Sequence, residues 1–315
     1  MLPPAGSPWD DLSQKLLYQP LGMASTSSRY EDLIARPNRA SLHFENVPGD
    51  WKPTYKRNLD AQAPAGGVSS TVMDMATWMM MNLGSGALDG KQVIKPEALL
   101  AAHLPQSTQV ASATPDSRSR FYGYGFVVSS TSTGEVRWDH SGAISTGAAT
   151  TYSMLPAADV GIVVLTNAAP VGAAEAVSHA FIDLVRTGTV ERDWLAYFGP
   201  QFAQLLVNTS SVAKPAPASP APTRSAQEYV GTYRNDVFGD VVVTSAGDTL
   251  TVQVGPRGMA AALTHYDGDI FSWVSPTGNA DPVSGVTFGG GPGRAATIQL
   301  EFLNVYDFGT FTRVG

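Results

Sequence analysis

Three neighbouring residues, His140, Ser141 and Gly142, offer the chemistry around which the sequence is organised. An imidazole can bind or release a proton near neutral pH, and a serine hydroxyl can donate or accept a hydrogen bond. The glycine leaves room for a backbone or a ligand to come close. Taken alone, however, His140 is explained more simply as a histidine at the end of a strand that makes a structural hydrogen bond.

The segments around these residues predict the strands that position them. Residues 121–129 are rich in aromatic and β-branched side chains, which favours a strand. Residues 148–155 and 160–166 are also apolar, and the short turn Pro156–Asp159 separates them. Two apolar strands joined by so short a turn predict an antiparallel hairpin. His140 is therefore expected on a strand that leads into a buried hairpin.

Composition excludes several classes of function. The chain has 315 residues, of which 43% are apolar, and a net charge of -7. This predicts a globular protein with more than one domain and no nucleic-acid partner, because no basic run occurs. The absence of cysteine excludes disulfides and a cysteine nucleophile. The five histidines are dispersed, so we expect no metal site and no cofactor.

Neither a membrane span nor a signal peptide is predicted for this sequence. A span needs roughly 18 consecutive apolar residues, and no segment comes near that. The first residues contain neither a basic segment nor an apolar one.

Helix signals occur on both sides of the predicted sheet. Thr71 is predicted to cap a helix, with Asp74 in the capping-box position. His103 is expected at a helix end, where its charge favours the helix dipole. For the helix over 171–187 we predict that Val177, Ala180, Phe181, Leu184 and Val185 face inward and that His179 is structural. The other helices are predicted over 9–18, 96–103 and 192–207, whereas residues 24–63 are expected to be an irregular surface segment.

A Pro/Ala-rich stretch divides the chain. Residues 208–226 favour an extended, semi-rigid linker. Beyond it, residues 227–315 contain short strands separated by glycine and aspartate turns, which predicts a small all-β barrel or sandwich. The domain prediction is thus 1–207, a linker over 208–226, and 227–315.

Four stretches resemble the serine β-lactamase and penicillin-binding-protein-like hydrolase family, in its class C, esterase and D-aminopeptidase branch. They are Trp9-Asp-Asp-Leu with Pro20-Leu-Gly-Met23 and Thr26, Pro64-Ala-Gly-Gly-Val-Ser-Ser-Thr71 with Asp74, Tyr124-Gly-Phe126, and His140-Ser-Gly142. The last is similar to the third catalytic motif, Lys-Thr-Gly or His-x-Gly. The resemblance implies an α+β fold with a partial β-lactamase/transpeptidase-like antiparallel sheet and flanking helices. Residues 227–315 resemble a small lipocalin-like barrel that is often appended to such hydrolases.

The resemblance implies a serine acyl-enzyme mechanism. The serine of a Ser-x-x-Lys motif attacks an ester, amide or β-lactam carbonyl, and a Tyr-x-Asn tyrosine helps to move the proton. His140 would be catalytic, either binding the substrate carboxylate or aiding proton transfer, and the backbone N–H of Ala143 would be an oxyanion-hole donor. Ser141 and Gly142 would bind the substrate, a small-molecule or peptide acyl compound. The family also implies a periplasmic or secreted location.

The family's two upstream motifs have no counterpart before Trp9. Ser211-Val-Ala-Lys214 matches Ser-x-x-Lys but lies in the linker, and Tyr233-Arg-Asn235 matches Tyr-x-Asn but lies in the second domain. We therefore expect a truncated chain that is inactive as given and leaves a strand edge uncovered, with a complementing N-terminal segment that carries the nucleophile. The alternative is a non-catalytic binding or interaction module, a pseudoenzyme remnant that holds a peptide or glycan without turnover.

Overall fold

The computed structural model describes residues 6–47, 49–276 and 283–315 of the chain. The chain divides into two compact units, residues 1–205 and 206–315. The first contains a six-stranded antiparallel sheet with helices, and the second contains a nine-stranded antiparallel sheet.

The helices of the first unit agree with most of the sequence signals. Thr71 caps the helix Val72–Leu83, because its hydroxyl accepts a hydrogen bond from the Asp74 amide at 3.2 Å. The Asp74 carboxylate instead binds the 25–26 segment, accepting bonds from Ser25 N and Thr26 Oγ1 at 2.8 Å each. Among the described residues of the first unit, the helices of five or more residues are α1 (Trp9–Ser13, continued by a π-helical stretch over Gln14–Tyr18), α2 (Tyr30–Ala35), α3 (Val72–Leu83), α4 (Pro96–His103), α5 (Ala173–Thr187) and α6 (Trp194–Leu205).

Residues 24–63 are more regular than predicted. They contain α2, and a hairpin pairs Phe44–Val47 with Asp50–Lys52. A 3-10 turn over Asp60–Gln62 and a helical turn over Ala63–Gly66 follow. The segments are too short for periodicity to show them in the sequence.

The main sheet is a meander in which each strand pairs with the next one in the chain. The predicted hairpin over 148–166 is confirmed, with Val160 opposite Leu155 and Thr166 opposite Ala149. A second, two-stranded ribbon (Ala87–Leu88 with Lys91–Gln92) follows α3. The strands of the main sheet are β1 (Ser107–Val110), β2 (Arg120–Tyr122), β3 (Val127–Ser130), β4 (Val136–Ile144), β5 (Ala148–Leu155) and β6 (Val160–Thr166).

The prediction for the inner face of α5 is wrong for Val177, Leu184 and Val185, whereas Ala180 and Phe181 are partly buried. Val177 and Leu184 are about half exposed, at 52% and 51%. The buried face carries Glu175 and Asp183 instead. Asp183 accepts hydrogen bonds from Trp194 Nε1 and from a backbone amide at 2.6 and 2.9 Å. Because these buried acids find specific partners, they share the inner face with Ala174, Ala176 and Ile182, whereas Val177, Leu184 and Val185 lie on the outer one.

The second unit is a nearly closed barrel. Its end strands, Met259–Ala262 and Thr264–Asp267, are separated in the chain by Leu263 alone. Large side chains that are at most 7% exposed fill its interior, among them Tyr229, Tyr233, Trp273 and Phe311. This confirms the predicted small barrel. Its strands, with pairing order β10-β9-β8-β7-β15-β14-β13-β12-β11, are β7 (Gly231–Asn235), β8 (Gly239–Ala246), β9 (Thr249–Val254), β10 (Met259–Ala262), β11 (Thr264–Asp267), β12 (Ile270–Trp273), β13 (Ser284–Gly289), β14 (Thr297–Leu300) and β15 (Thr310–Val314).

The Pro/Ala-rich segment packs on the barrel and is not a free spacer. Ser210 Oγ donates to the Glu301 carboxylate at 2.6 Å. At the other end of the segment, Arg224 forms an ion pair with Asp269 at 2.7 Å. Composition predicts the extended backbone, but these two polar anchors attach the segment to the second unit.

Candidate active site

β4 carries His140 beyond the end of its neighbour. The pairing with β3 ends at Asp139, opposite Val127, whereas the pairing with β5 runs on to Ile144. From His140 onward, β4 therefore has a strand partner on one side only. His140 is half-buried, and the three following residues are exposed. The backbone of an extended ligand can approach such an edge.

The strand pleat sends alternate side chains of β4 to opposite faces of the sheet. On one face, Trp138 stacks on His103 with ring centroids 3.8 Å apart, and His140 Nε2 lies 3.1 Å from Tyr122 Oη. On the other face, the Ser141 hydroxyl donates to the Glu175 carboxylate of α5. The hydroxyl of Ser141 is therefore engaged on the face opposite the imidazole. The prediction that Ser141 binds the substrate stays a prediction, and it would have to be met by the backbone N–H and C=O of this residue.

Two tyrosines flank the imidazole of His140. Tyr122 lies edge-to-face with it, at a centroid distance of 5.8 Å. Tyr152, opposite His140 on β5, lies nearly parallel to it at 6.5 Å, and its hydroxyl donates to Gly125 O at 2.8 Å. Burial raises the pKa of Tyr152, and the charges of Asp139 and Tyr122 add to this. Tyr152 is thus a neutral phenol that ties the turn before β3 to the site.

A buried carboxylate fixes β4 beneath the site. Asp139 is buried and accepts hydrogen bonds from Arg120 at 3.1 Å, Ser129 at 3.0 Å and Arg137 Nε at 2.9 Å. The guanidinium of Arg137 also lies 3.5 Å from His179 Nε2. Burial and the charge of Arg137 lower the pKa of His179 to about 4. His179 is a neutral structural residue, as the sequence indicates.

His103 belongs to the core and does not serve the helix dipole. It lies against Trp138 and Phe126, and its Nε2 is 3.1 Å from Asn82 Oδ1. Asn82 Nδ2 donates to a carbonyl of its own helix, so Asn82 Oδ1 accepts a hydrogen bond from His103 Nε2–H. Burial lowers the pKa of His103 to about 4. The imidazole is neutral at pH 7, so the predicted charge–dipole interaction does not apply.

Two glycines, one in the motif and one in the turn after β4, differ in the space around them. A Cβ on Gly142 would meet only Thr150 Oγ1 within 4 Å, at 3.9 Å, so the space above this position is open. A Cβ on Gly147, where φ is +139°, would lie 2.5 Å from His43 N. The room at Gly147 is therefore filled by the chain itself. His43 lies nearby, with its ring bonded to backbone oxygens of Ser41 and Asn167.

The two motif matches in the second unit do not form a site. Ser211 binds Glu301 and lies outside any helix, and Lys214 is exposed. Tyr233 is fully buried in the barrel core, where its hydroxyl donates to a backbone carbonyl at 2.7 Å. Asn235 bonds to backbone carbonyls of the barrel. These residues therefore have structural roles.

Tyr122, Tyr152 and Glu175 were not predicted as neighbours of the motif. The hairpin and the helix that carry Tyr152 and Glu175 are predicted, whereas the single strand predicted over 121–129 is two strands, Arg120–Tyr122 and Val127–Ser130, joined by a turn. The contacts of all three residues depend on strand register and on the buried face of α5. Throughout the described ranges, no group of three or more His, Asp and Glu side chains could hold a metal ion. Nor does any helix in those ranges combine the length and apolarity that a bilayer crossing requires.

The mixed helices and sheet, and the His-Ser-Gly strand within them, can be compared with known proteins. Residues 3–187 match the family model described as Beta-lactamase. This chain belongs to the β-lactamase family, which is related to the penicillin-binding proteins and comprises serine hydrolases. Residues 215–311 of this β-lactamase-family chain match a domain of unknown function, DUF3471. No curated protein matches the chain.

Solved structures resemble parts of this β-lactamase-family chain. The C-terminal domain of a penicillin-binding protein is 39% identical and covers 33% of this chain and 100% of its own, with a TM-score of 0.29. An octameric penicillin-binding protein homologue from Pyrococcus abyssi is 16% identical over 98% of this chain, with a TM-score of 0.48. A D-stereospecific amidohydrolase from Streptomyces sp. is 18% identical over 59%, with a TM-score of 0.45. The chain spans 61% and 50% of the lengths of the last two.

Proposed function

We propose that residues 1–205 form one wall of a serine-hydrolase active site that cleaves an ester, an amide or peptide, or a β-lactam through an acyl-enzyme. The observation that supports this proposal is the position of His140. It lies on the part of β4 that has no strand partner on the β3 side, and the space above Gly142 is open. The nucleophile of this proposal is the serine of a Ser-x-x-Lys segment outside the sequence given. Within the sequence, the one match to that spacing is Ser211–Lys214, which lies in the second unit.

Each residue of the motif has a distinct role in the proposal. His140 binds the substrate carboxylate or takes part in proton transfer. The backbone N–H of Ala143 donates to the oxyanion that forms when the carbonyl is attacked. Gly142 lets the substrate backbone lie close to β4, and Ser141 contributes its backbone, since its hydroxyl is held by Glu175.

The histidine in place of a lysine favours the esterase and D-aminopeptidase branch. A lysine is a permanent cation at neutral pH, whereas an imidazole can act as a neutral hydrogen-bonding group. We therefore place ester and D-amino-acid amide or peptide substrates before penicillins. In this proposal the barrel is an appended domain, and the periplasmic or secreted location follows the family resemblance.

Covalent labelling tests the proposal. The chain as given and the native protein from its source are each treated with a fluorophosphonate probe, and their intact masses are compared. We expect the chain as given to stay unlabelled, and the native protein to carry one label on a Ser-x-x-Lys serine outside residues 1–315. His140→Ala in the native protein should slow the hydrolysis of an activated ester, whereas His265→Ala, in the barrel, should not. A label on a serine within residues 1–315 would contradict the proposal.

The alternative is a binding module without turnover. One observation favours it: neither Ser211 nor Tyr233 contributes to a site, so the described residues contain no nucleophile motif in place. A native protein with the mass of this chain, 33.2 kDa, that binds an acyl peptide without cleaving it would establish this alternative. Labelling of a heavier native protein would exclude it.

A further inference from the structure

The contact between Tyr122 and His140 determines which nitrogen of the imidazole is free. Tyr122 Oη lies 3.1 Å from His140 Nε2, and within the described chain Nδ1 makes no hydrogen bond with protein. We propose that Tyr122 is a positioning residue that holds the neutral imidazole as the Nδ1–H tautomer. His140 then presents a neutral N–H donor to the substrate. The assignment of the tautomer does not depend on the proposed function, but its role in catalysis rests on it.

The relative strengths of the donors and acceptors decide the direction of this hydrogen bond. Either the phenol donates to Nε2, or Nε2–H donates to the phenol oxygen. A phenol O–H is a stronger acid than a neutral imidazole N–H, and the imidazole lone pair is a better acceptor than a phenol oxygen. Among the described residues, Nε2 is also the only partner of Tyr122 Oη. The phenol therefore donates, and the imidazole proton resides on Nδ1.

Strand pairing holds the two rings in place. Tyr122 is opposite Val127, and Val127 is opposite Asp139, the residue before His140. The tyrosine and the histidine are thus brought together across β3 by the register of three adjacent strands. This arrangement does not depend on a flexible loop, so the phenol is pre-organised toward Nε2.

The charged groups near the imidazole do not favour the other tautomer. Tyr152 and His103 are the other titratable groups on this face within the described residues: the Tyr152 hydroxyl donates to Gly125 O, and His103 Nε2–H donates to Asn82 Oδ1. Asp139 and Arg137 lie on the same strand but face the opposite side, where they pair with each other at 2.9 Å. In the described structure no carboxylate is bonded to Nδ1, so no acceptor of the protein competes with a substrate for its proton.

This assignment separates the two roles left open for His140. With its Nε2 lone pair occupied by Tyr122, the resting imidazole is not a free general base. Its Nδ1–H can donate to a carboxylate or carbonyl oxygen of the substrate without taking up a proton from solvent. In this tautomer the imidazole is a hydrogen-bond donor to the substrate.

Nitrogen NMR on the histidine-labelled chain tests the proposal. At a pH where the imidazole is neutral, long-range proton–nitrogen spectra distinguish a protonated nitrogen from an unprotonated one. We expect His140 to carry its proton on Nδ1. Tyr122→Phe should shift it predominantly to Nε2, the form that an unconstrained histidine side chain favours. His140→Gln assigns the resonances.

Tyr124→Phe is the matched control, because Tyr124 lies two residues away and is 67% exposed. It should leave the tautomer of His140 unchanged, and the His103 signals should show Nε2–H in every folded variant. A proton on Nε2 in the wild type, or an Nδ1–H tautomer that survives Tyr122→Phe in a folded protein, would overturn the proposal. If Tyr122→Phe does not fold, the wild-type spectrum alone decides. If the fluorophosphonate experiment contradicts the proposed hydrolase function, the tautomer of His140 measured by NMR is unaffected.

Discussion

The two units of the chain bury their residues in different ways. The barrel gathers sixteen buried apolar residues into one continuous core. The first unit divides its apolar core into smaller clusters, one around Met81 and one around Phe126. In the first unit, the buried Asp139 and Glu175 lie beneath the candidate site, and Leu184 is about half exposed to solvent. The barrel is thus stabilised by one apolar core of its own, whereas the interior of the first unit also holds the polar groups that position β4.

Topology is the physical reason for this difference. A nearly closed sheet turns every second side chain of each strand inward, so its apolar residues cover one another. The first unit is an open sheet, and its edge strand β6 is only partly buried along most of its length. An uncovered edge and an apolar outer helix face are surfaces that another polypeptide can cover.

The largest expected effect comes from separating the units. We expect residues 206–315 alone to unfold cooperatively in urea, monitored by the buried Trp273. Residues 1–205 alone should unfold at a lower urea concentration or aggregate, because their exposed apolar faces favour association. If the two fragments have equal unfolding midpoints, the contrast drawn between the units is wrong.

A matched pair of phenylalanines tests the barrel core. Phe311 is 0% exposed and Phe308 is 54% exposed. Phe311→Ala should lower the free energy of unfolding by about 4 kcal/mol, since it leaves a cavity in the core. Phe308→Ala should change it by no more than about 0.5 kcal/mol. Urea unfolding of the intact chain measures both, and similar losses for the two would show that the barrel interior is not the source of its stability.

Asp139 tests the polar interior of the first unit. Asp139→Asn removes the charge that pairs with Arg120 and Arg137, and it should lower the free energy of unfolding of this unit by about 3 kcal/mol. Asp50→Asn is the control, because its ion pair with Lys52 is exposed and contributes less than about 1 kcal/mol. Fluorescence of the first unit's tryptophans reports the unfolding. A loss at Asp139 no greater than that at Asp50 would contradict the positioning role.

The smallest expected effect is the pH dependence due to His103. Its pKa falls from 6.5 to about 4 on folding, so the folded state resists protonation. The stabilisation is therefore fully present above pH 6.5 and is lost as the pH falls toward 4, with a total change of roughly 2–3 kcal/mol. His103→Gln should flatten the dependence of unfolding free energy on pH over that range. An unchanged slope would show that folding does not lower the pKa of His103.

The sequence predicts the elements more reliably than their contacts. The helix Pro96–His103, the cap at Thr71 and the hairpin over 148–166 follow from local signals, and the structure confirms them. The face of α5 was predicted wrongly, because apolar periodicity does not reveal that buried acids will find partners. The tyrosine partner of His140 could not be predicted, since strand register depends on pairing across the sheet.

What the sequence determined by itself is the hairpin over 148–166, the starts of most of the longer helices and the His140-Ser141-Gly142 motif, because these depend on neighbouring residues. Tertiary structure alone decided that Ser141 faces Glu175, that Tyr122 reaches His140 and that the Pro/Ala-rich segment packs on the barrel. Each of those contacts joins residues distant in the chain. They form only when whole sheets pair and pack, so no local pattern encodes them.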